Sequence, residues 1–210
     1  EKQGKLKRVL GGAELADVSG SDVAEFTMRQ KYGMHLHEKE LVAARAAEIV
    51  QDGDCVFVDG GTSLAPLFKL LSQKCIQIVS NNHLILHDII HSEANIIIIG
   101  GNYLPHFHMT VGSMAEICLS NFHFDHAFVG CSGVDLEKGM SYASEIETVS
   151  IKKIAIEHAN QKHLLIDSSK LRFRAFCKFL PLSAFNSVIC NHSDADEFLP
   201  ENFLLVDERK

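Results

Sequence analysis

Short apolar runs recur along the chain, each followed by small polar residues and then by a helical repeat. Val42, Ala46, Ile49 and Val50 fall at helical spacing and predict a helix from His37 to Gln51, closed by Asp52-Gly53-Asp54. Cys55-Val56-Phe57-Val58 leads into Asp59-Gly60-Gly61-Thr62-Ser63, with a helix predicted from there to Leu71. Ile76-Gln77-Ile78-Val79 leads into Ser80-Asn81-Asn82, with a helix predicted to about His91. Ile96-Ile97-Ile98-Ile99 leads into Gly100-Gly101. His126-Ala127-Phe128-Val129 leads into Gly130-Cys131-Ser132-Gly133, and a longer helix follows with Ile151, Ile154, Ala155 and His158 on one face. His163-Leu164-Leu165-Ile166 leads into Asp167-Ser168-Ser169-Lys170, and Ser187-Val188-Ile189-Cys190 reads as one more strand.

Near-continuous apolar strands that alternate with helices specify an α/β fold, with a mostly parallel sheet covered on both faces. In such a sheet the strand-ending loops gather on one edge, and ligands bind outside that edge. Here the edge carries glycines, hydroxyls, amides and one lysine. Residues 102–114 and 171–186 break the alternation. In the second segment Arg172, Arg174 and Lys178 interleave with Phe173, Phe176 and Phe179, which suits a small subdomain or an oligomer contact.

Composition narrows the class. With 210 residues, 46% hydrophobic and 22% charged, the chain can bury one large core. The formal net charge of −7 argues against a broad DNA-gripping or membrane-gripping face. Cys55, Cys75, Cys118, Cys131, Cys177 and Cys190 stand singly, with no C-x-x-C pair, and read as reduced core residues of a cytoplasmic protein. No run is apolar enough to span a bilayer and no signal peptide opens the chain. The expected partners therefore exclude a membrane. The first residues, with Lys2, Lys5, Lys7, Arg8 and Gly11-Gly12, read as an arm or linker, and the start at Glu1 rather than Met reads as a boundary.

The loops carry the candidate chemistry. Gly60 and Gly61 let the backbone approach a ligand, while Thr62 and Ser63 add hydroxyls at an expected helix start, where anions are favoured. The same five residues also suit a tight turn with Thr62 or Ser63 as a helix cap. The loop is neither a P-loop nor G-x-G-x-x-G, so nucleoside triphosphates and dinucleotides are disfavoured, and no cofactor is expected. Lys170 places an ammonium at the same edge, or a solvated lysine in a turn. Asn81 and Asn82 suit either sugar hydroxyls or strand termination. Gly100, Gly101 and Gly112 suit close backbone approach or ordinary turns. Glu145 and Glu147 precede the long helix as an acid–base pair, as ligands to hydroxyls, or as first-turn carboxylates. The 12 histidines, including His35, His37, His106, His108, His123 and His126, lack the spacing of a metal site, so no metal is expected. Nor is there a G-x-S-x-G elbow.

These motifs, in their order, resemble the DeoR-type bacterial transcriptional regulators over nearly the whole chain. Lys7-Arg8-Val9-Leu10-Gly11-Gly12-Ala13 resembles that family's R-x-x-G-G-A entry. Phe26, Arg29, Glu38 and Lys39 resemble its F-x-x-R … E-K segment. Asp59 to Ser63 stand where the family has D-x-G-T-T, and Ser80-Asn81-Asn82 where it has T-N. Gly100-Gly101, Gly112, Phe128-Val129-Gly130 with Gly133, and Asp167 to Lys170 follow in family order.

The resemblance implies an effector-sensing domain over 37–210, with 1–36 as the arm from a DNA-binding domain. It implies a three-layer αβα fold with a small subdomain, similar to ribose-5-phosphate isomerase, glucosamine-6-phosphate deaminase and the CoA transferases. It implies a repressor of sugar catabolism and a phosphorylated sugar as effector. Asp59, Gly60, Gly61, Thr62, Ser63 and Lys170 would form the phosphate site, with Asn81, Asn82, Gly101, Gly130 and either Glu145 or Glu147 toward the sugar. A homo-oligomer, dimer or tetramer, is expected. DNA contact is expected only through a winged helix-turn-helix that this chain lacks. Leu171-Arg172-Phe173 departs from the glycine often found after the family lysine. The rivals are a sugar-phosphate isomerase or amino-sugar-phosphate deaminase on the same fold, and a pure oligomerisation module with a vestigial pocket; the expectation is a non-enzyme.

Overall fold

The structure is a computed structural model that describes residues 6–9, 12–15, 28–86, 89, 91–191 and 199–206. Lys2, Lys5, Gly11 and Phe26 lie outside these, as do residues 87, 88 and 90 and the side chains of Lys7, Arg8 and Arg29.

The chain begins with an antiparallel hairpin, β1 (Leu6–Val9) and β2 (Gly12–Leu15). Helices α1 (Met28–Gly33) and α2 (Leu36–Ala47) follow. Then come β3 (Cys55–Val58), α3 (Ala65–Leu71), β4 (Gln77–Ser80) and β5 (Asn95–Ile98). A second hairpin, β6 (Asn102–Leu104) with β7 (Met109–Val111), leads to α4 (Ser113–Leu119). After these run β8 (Phe124–Gly130), β9 (Gly133–Asp135), β10 (Met140–Ala143), α5 (Ile146–Glu157) and β11 (Ala159–Ile166). β12 (Cys177–Pro181), β13 (Ser187–Asn191) and β14 (Phe203–Val206) complete the described elements.

Seven strands form one sheet in the order β14-β13-β11-β8-β3-β4-β5, and every pairing in it is parallel. Successive residues of a strand point to opposite faces, and both faces here are covered. Val56, Val58, Ile78, Leu165 and Ile189 pack against α2 and α3. Phe57, Val79, Val129, Leu164 and Val188 pack against α4 and α5. The result is a three-layer αβα arrangement. It explains why the strands read as unbroken apolar runs: neither face has a solvent side to mark with polar residues.

The irregular segments have their own structure. Residues 102–114 hold the β6–β7 hairpin and the start of α4. Residues 171–186 contribute β12 to a separate antiparallel sheet, β12-β10-β9, which is the small subdomain. Its Phe179 is buried, whereas Phe176 is exposed. Three differences from the sequence reading stand out. The helix expected to Gln51 ends at Ala47. After Asn82 the described residues 84–86 form a turn, because the Asn82 side chain accepts the Leu84 N–H at 2.8 Å and redirects the backbone. Strand β14 was not expected. The cysteines also need correction. All six are free thiols, but only Cys190 is buried and Cys75 is exposed, because it lies in the turn before β4 rather than inside the strand.

No helix among the described residues is long and apolar enough to cross a membrane.

Candidate functional site

The strand ends of β3, β8 and β11 converge on one cavity of about 410 Å³. Asp59 follows β3 directly and is fully buried. Its Oδ2 accepts the Gly130 N–H at 3.1 Å and stands 3.4 Å from Lys152 Nζ. Lys152 reaches up from α5, itself buried, and also donates to the Gly130 carbonyl at 3.1 Å. This ion pair ties β3, β8 and α5 together under the cavity floor. Asp59 Oδ1 is left with no hydrogen-bond partner among the described residues.

Gly60 is required by close approach. A Cβ there would stand 2.5 Å from Met109 Cγ, so a larger residue must push Met109 out of its place. Gly61, Thr62 and Ser63 follow and line the cavity. Helix α3 starts only at Ala65, with Leu64 as its cap residue and no side-chain cap bond. Thr62 and Ser63 therefore do not cap it. Instead Thr62 Oγ1 receives a hydrogen bond from Lys39 Nζ at 3.3 Å.

Lys39 lies on the buried face of α2 with Val42, Ala43 and Ala46. Its ammonium also donates to the Lys31 carbonyl at 2.5 Å. Burial pushes its pKa down to about 8. Asp167 opposes that shift, the Lys170 charge adds to it, and Glu38 opposes it again. Asp167 ends β11 and is buried; its Oδ1 accepts from both the N–H and the hydroxyl of Ser169, while Oδ2 has no partner among the described residues. Lys170 closes the short turn that Asp167 caps and also lines the cavity. On the far wall Glu145 Oε1 lies 3.8 Å from Lys31 Nζ. Phe107, Met109 and Phe173 supply apolar wall, with Met28 from α1 and Met34 just after it. Cys131 also lines the cavity, and burial pushes its thiol up to about 11, so it is a neutral lining group rather than a nucleophile.

Of the residues singled out from sequence, Gly61, Thr62, Ser63, Gly130, Glu145 and Lys170 meet at this cavity, with Asp59 beneath it. Gly60, Asn81, Asn82, Gly101 and Glu147 are not among its lining residues. Asn81 spends its side-chain N–H on the Thr110 carbonyl at 3.2 Å, and Asn82 is committed to its turn. Gly101 packs backbone against α4, where a Cβ would stand 2.9 Å from Ala115 Cβ. Glu147 is exposed, one turn position past Glu145. Among the described residues no group of three or more His, Cys, Asp or Glu could hold a metal ion.

Sequence reasoning did not place Lys31, Lys39 and Lys152 in the site. The last two had a signal: each is a lysine in register with the apolar stripe of its helix, Lys39 with Val42 and Ala46, Lys152 with Thr148, Val149 and Ala155. A lysine held on a buried face requires a partner or a ligand. Lys31 had no such mark.

Residues 34–192 match the family described as the DeoR C terminal sensor domain. The chain belongs to this family. Among similar proteins, the lactose phosphotransferase system repressor of Staphylococcus epidermidis is 29% identical over 202 residues, covering 94% of this chain and 78% of the repressor. FruR of Bacillus subtilis, described as an uncharacterized HTH-type transcriptional regulator, is 28% identical over 205 residues, covering 97% and 78%. The fold is shared with eIF2B beta from Chaetomium thermophilum, at TM-score 0.52 and 10% identity over 73% of this chain and 48% of that one. Ribose 5-phosphate isomerase A from Methanocaldococcus jannaschii aligns with 63% of this DeoR sensor domain and about half of its own chain (53%), at 18% identity and TM-score 0.46.

Proposed function

We propose that this DeoR sensor domain binds a phosphorylated sugar in the cavity, and that the bound sugar is the effector of a regulator of sugar metabolism. One observation carries the reading: four lysines, Lys31, Lys39, Lys152 and Lys170, reach a single cavity, and their partners leave a positive surplus. Lys152 is matched by Asp59 and Lys31 by Glu145. Among the carboxylates of the lining, Lys39 and Lys170 share Asp167; Glu38 also acts on Lys39 but lies outside the lining, beside His35. The surplus sits beside the Thr62 hydroxyl and the Gly61 backbone, which suits a phosphate monoester. Glu145, Ser132 and Ser144, also in the lining, suit hydroxyls, and Phe107 and Phe173 suit the apolar face of a sugar ring. The staphylococcal relative is a repressor of a lactose phosphotransferase system, a name that joins a sugar to phosphoryl transfer.

In this reading the protein binds and does not turn over its ligand, and DNA contact belongs to a separate reading domain. The ligand shifts the regulator only by its differential affinity for two states. The test is a thermal-shift screen of sugar phosphates against their parent sugars, followed by calorimetry on Lys170→Ala. A phosphorylated compound is expected to raise Tm where its parent sugar does not. Lys170→Ala is expected to weaken that compound by roughly 10- to 100-fold, the worth of one charge-assisted bond. A screen without a hit removes the site, and equal affinity for the variant removes Lys170 from it. Turnover of a sugar phosphate by the purified chain would overturn the non-enzymatic reading.

A further inference from the structure

Lys39 sits where the cavity meets α1. Its ammonium bonds the Lys31 carbonyl at 2.5 Å and Thr62 Oγ1 at 3.3 Å. Lys31 belongs to the last turn of α1, where carbonyls find no partner inside their own helix. Lys39 therefore caps α1 from outside. An ammonium has three N–H donors, and these two bonds leave one more. Lys31 makes a second tie, from its Nζ to Glu145 Oε1 at 3.8 Å. Met28, the first residue of α1, is buried and supplies a third. Met28, Lys31, Lys39 and Glu145 all line the cavity, so these three ties run along its wall, while Tyr32 packs against the core of the α2–α3 layer. Between α1 and α2, His35 adopts φ 53° and ψ 39°, a left-handed conformation that residues other than glycine rarely take. The turn is held by its surroundings rather than by its own preference.

We propose that α1 is the effector-responsive wall of the cavity: a phosphate bound beside Thr62 takes the third donor of Lys39 and locks its bridge to the Lys31 carbonyl. The inference rests on the phosphate site proposed above and adds its regulation. Without ligand, Lys39 and Lys170 repel each other across the cavity. A phosphate dianion between them removes that repulsion and holds the Lys39 charge in place. The ligand thus favours the state in which α1 is docked, and by reciprocity docking of α1 raises phosphate affinity. The chain that precedes Met28 is joined directly to this wall, so the state of the site is passed on through a helix of six residues.

The test is amide hydrogen exchange on the 210-residue chain with and without saturating inorganic phosphate, beside calorimetry of the same mixtures. Exchange at residues 31–35 is expected to slow about tenfold with phosphate. Lys39→Met is expected to speed that exchange in phosphate-free protein and to abolish the phosphate effect. Retained protection in β8 and β11 of the variant separates a loosened α1 from a misfolded domain. Lys170→Met, by contrast, is expected to weaken phosphate binding and, by removing the repulsion on Lys39, to slow phosphate-free exchange at 31–35 rather than speed it. Phosphate heat without any change at 31–35 overturns the coupling and leaves the site standing. Equal phosphate-free exchange in Lys39→Met and the parent removes the Lys39 bridge. No heat from phosphate or from any sugar phosphate removes the site, and the coupling with it.

Discussion

The charge of the cavity is decided by a few buried groups, and each has a measurable signature. Lys39 loses its proton near pH 8 in the free domain. A phosphate monoester is already a dianion there, its second pKa being about 6. Bound phosphate stabilises the charged lysine, so binding takes up a proton above pH 8. Effector affinity is expected to hold between pH 7 and 8 and then fall, by up to about tenfold per pH unit. Calorimetry at pH 7, 8 and 9 checks this, and Lys39→Arg, which stays charged, should flatten the profile. Asp59 and Lys152 are a buried pair that compensate each other. Lys152→Met leaves the Asp59 carboxylate uncompensated and is expected to destabilise the domain by about 3–5 kcal/mol. The double variant Asp59→Asn, Lys152→Met should recover most of that loss in urea unfolding. These residues also show what sequence can reveal. Thr62 and Lys170 were legible because hydroxyls and a cation on strand-end loops have few structural duties. Lys39 and Lys152 could be marked as buried by their register in α2 and α5, but where they and Lys31 aim depends on how the helices pack, which the register does not encode. Asn81 and Asn82 stay off the cavity lining: Asn81 donates to the Thr110 carbonyl and Asn82 accepts the Leu84 N–H, although Asn81 Oδ1 and Asn82 Nδ2 have no partner among the described residues.

At the scale of elements, every strand of the main sheet but β14 was located, with β3, β4, β5 and β13 within a residue, while β8 and β11 begin two and four residues before the runs that mark them. Cys55-Val56-Phe57-Val58 is β3 without adjustment, and Ser187 to Cys190 falls one residue short of β13. Burial on two faces leaves little choice but continuous apolar sequence. Phe57→Ala opens a cavity between β3 and the α4–α5 layer and is expected to cost about 3–5 kcal/mol, measured by chemical unfolding. Shorter elements were less legible. β14 ends the sheet as Phe203–Val206, where three of four residues are only partly buried. α4 has seven residues, too few for a periodicity to declare itself. The Gly60 loop couples local geometry to the site. Gly60→Val must displace Met109 from the cavity wall, with an expected loss of about 1–3 kcal/mol in stability. It should also lower effector affinity relative to Gly60→Ala, and a thermal melt paired with calorimetry distinguishes the two effects.

Across the whole molecule, the edge of the sheet opposite the cavity carries a second polar system. Asp54 Oδ2 lies 3.4 Å from His126 Nε2, His126 Nδ1 lies 3.1 Å from His163 Nε2, and His163 Nδ1 lies 2.7 Å from Ser187 Oγ. The His163 ring also stacks on Phe128 at 4.6 Å. Burial pushes His163 down to about 4, and the neighbouring His126 adds to the shift. An unfolded histidine titrates near 6.5, so between pH 6.5 and 4 the unfolded chain binds a proton that the folded one refuses. Stability from this group is complete above pH 6.5 and is lost as pH falls toward 4, by about 3 kcal/mol at most. Urea unfolding at pH 4.5 and 7 should show this slope, and His163→Gln should reduce it. The strand order of the main sheet has a different consequence. From β3 the chain moves outward through β4 and β5, then returns to lay β8 on the other side of β3. The helix leaving β3 joins one layer and the helix that follows β8 joins the other. A gap between those two strand ends is thus a result of the winding itself, whatever side chains surround it. Ligand preference can therefore be rewritten in the loops without touching the scaffold, so a single architecture can diversify across many metabolites while remaining foldable throughout.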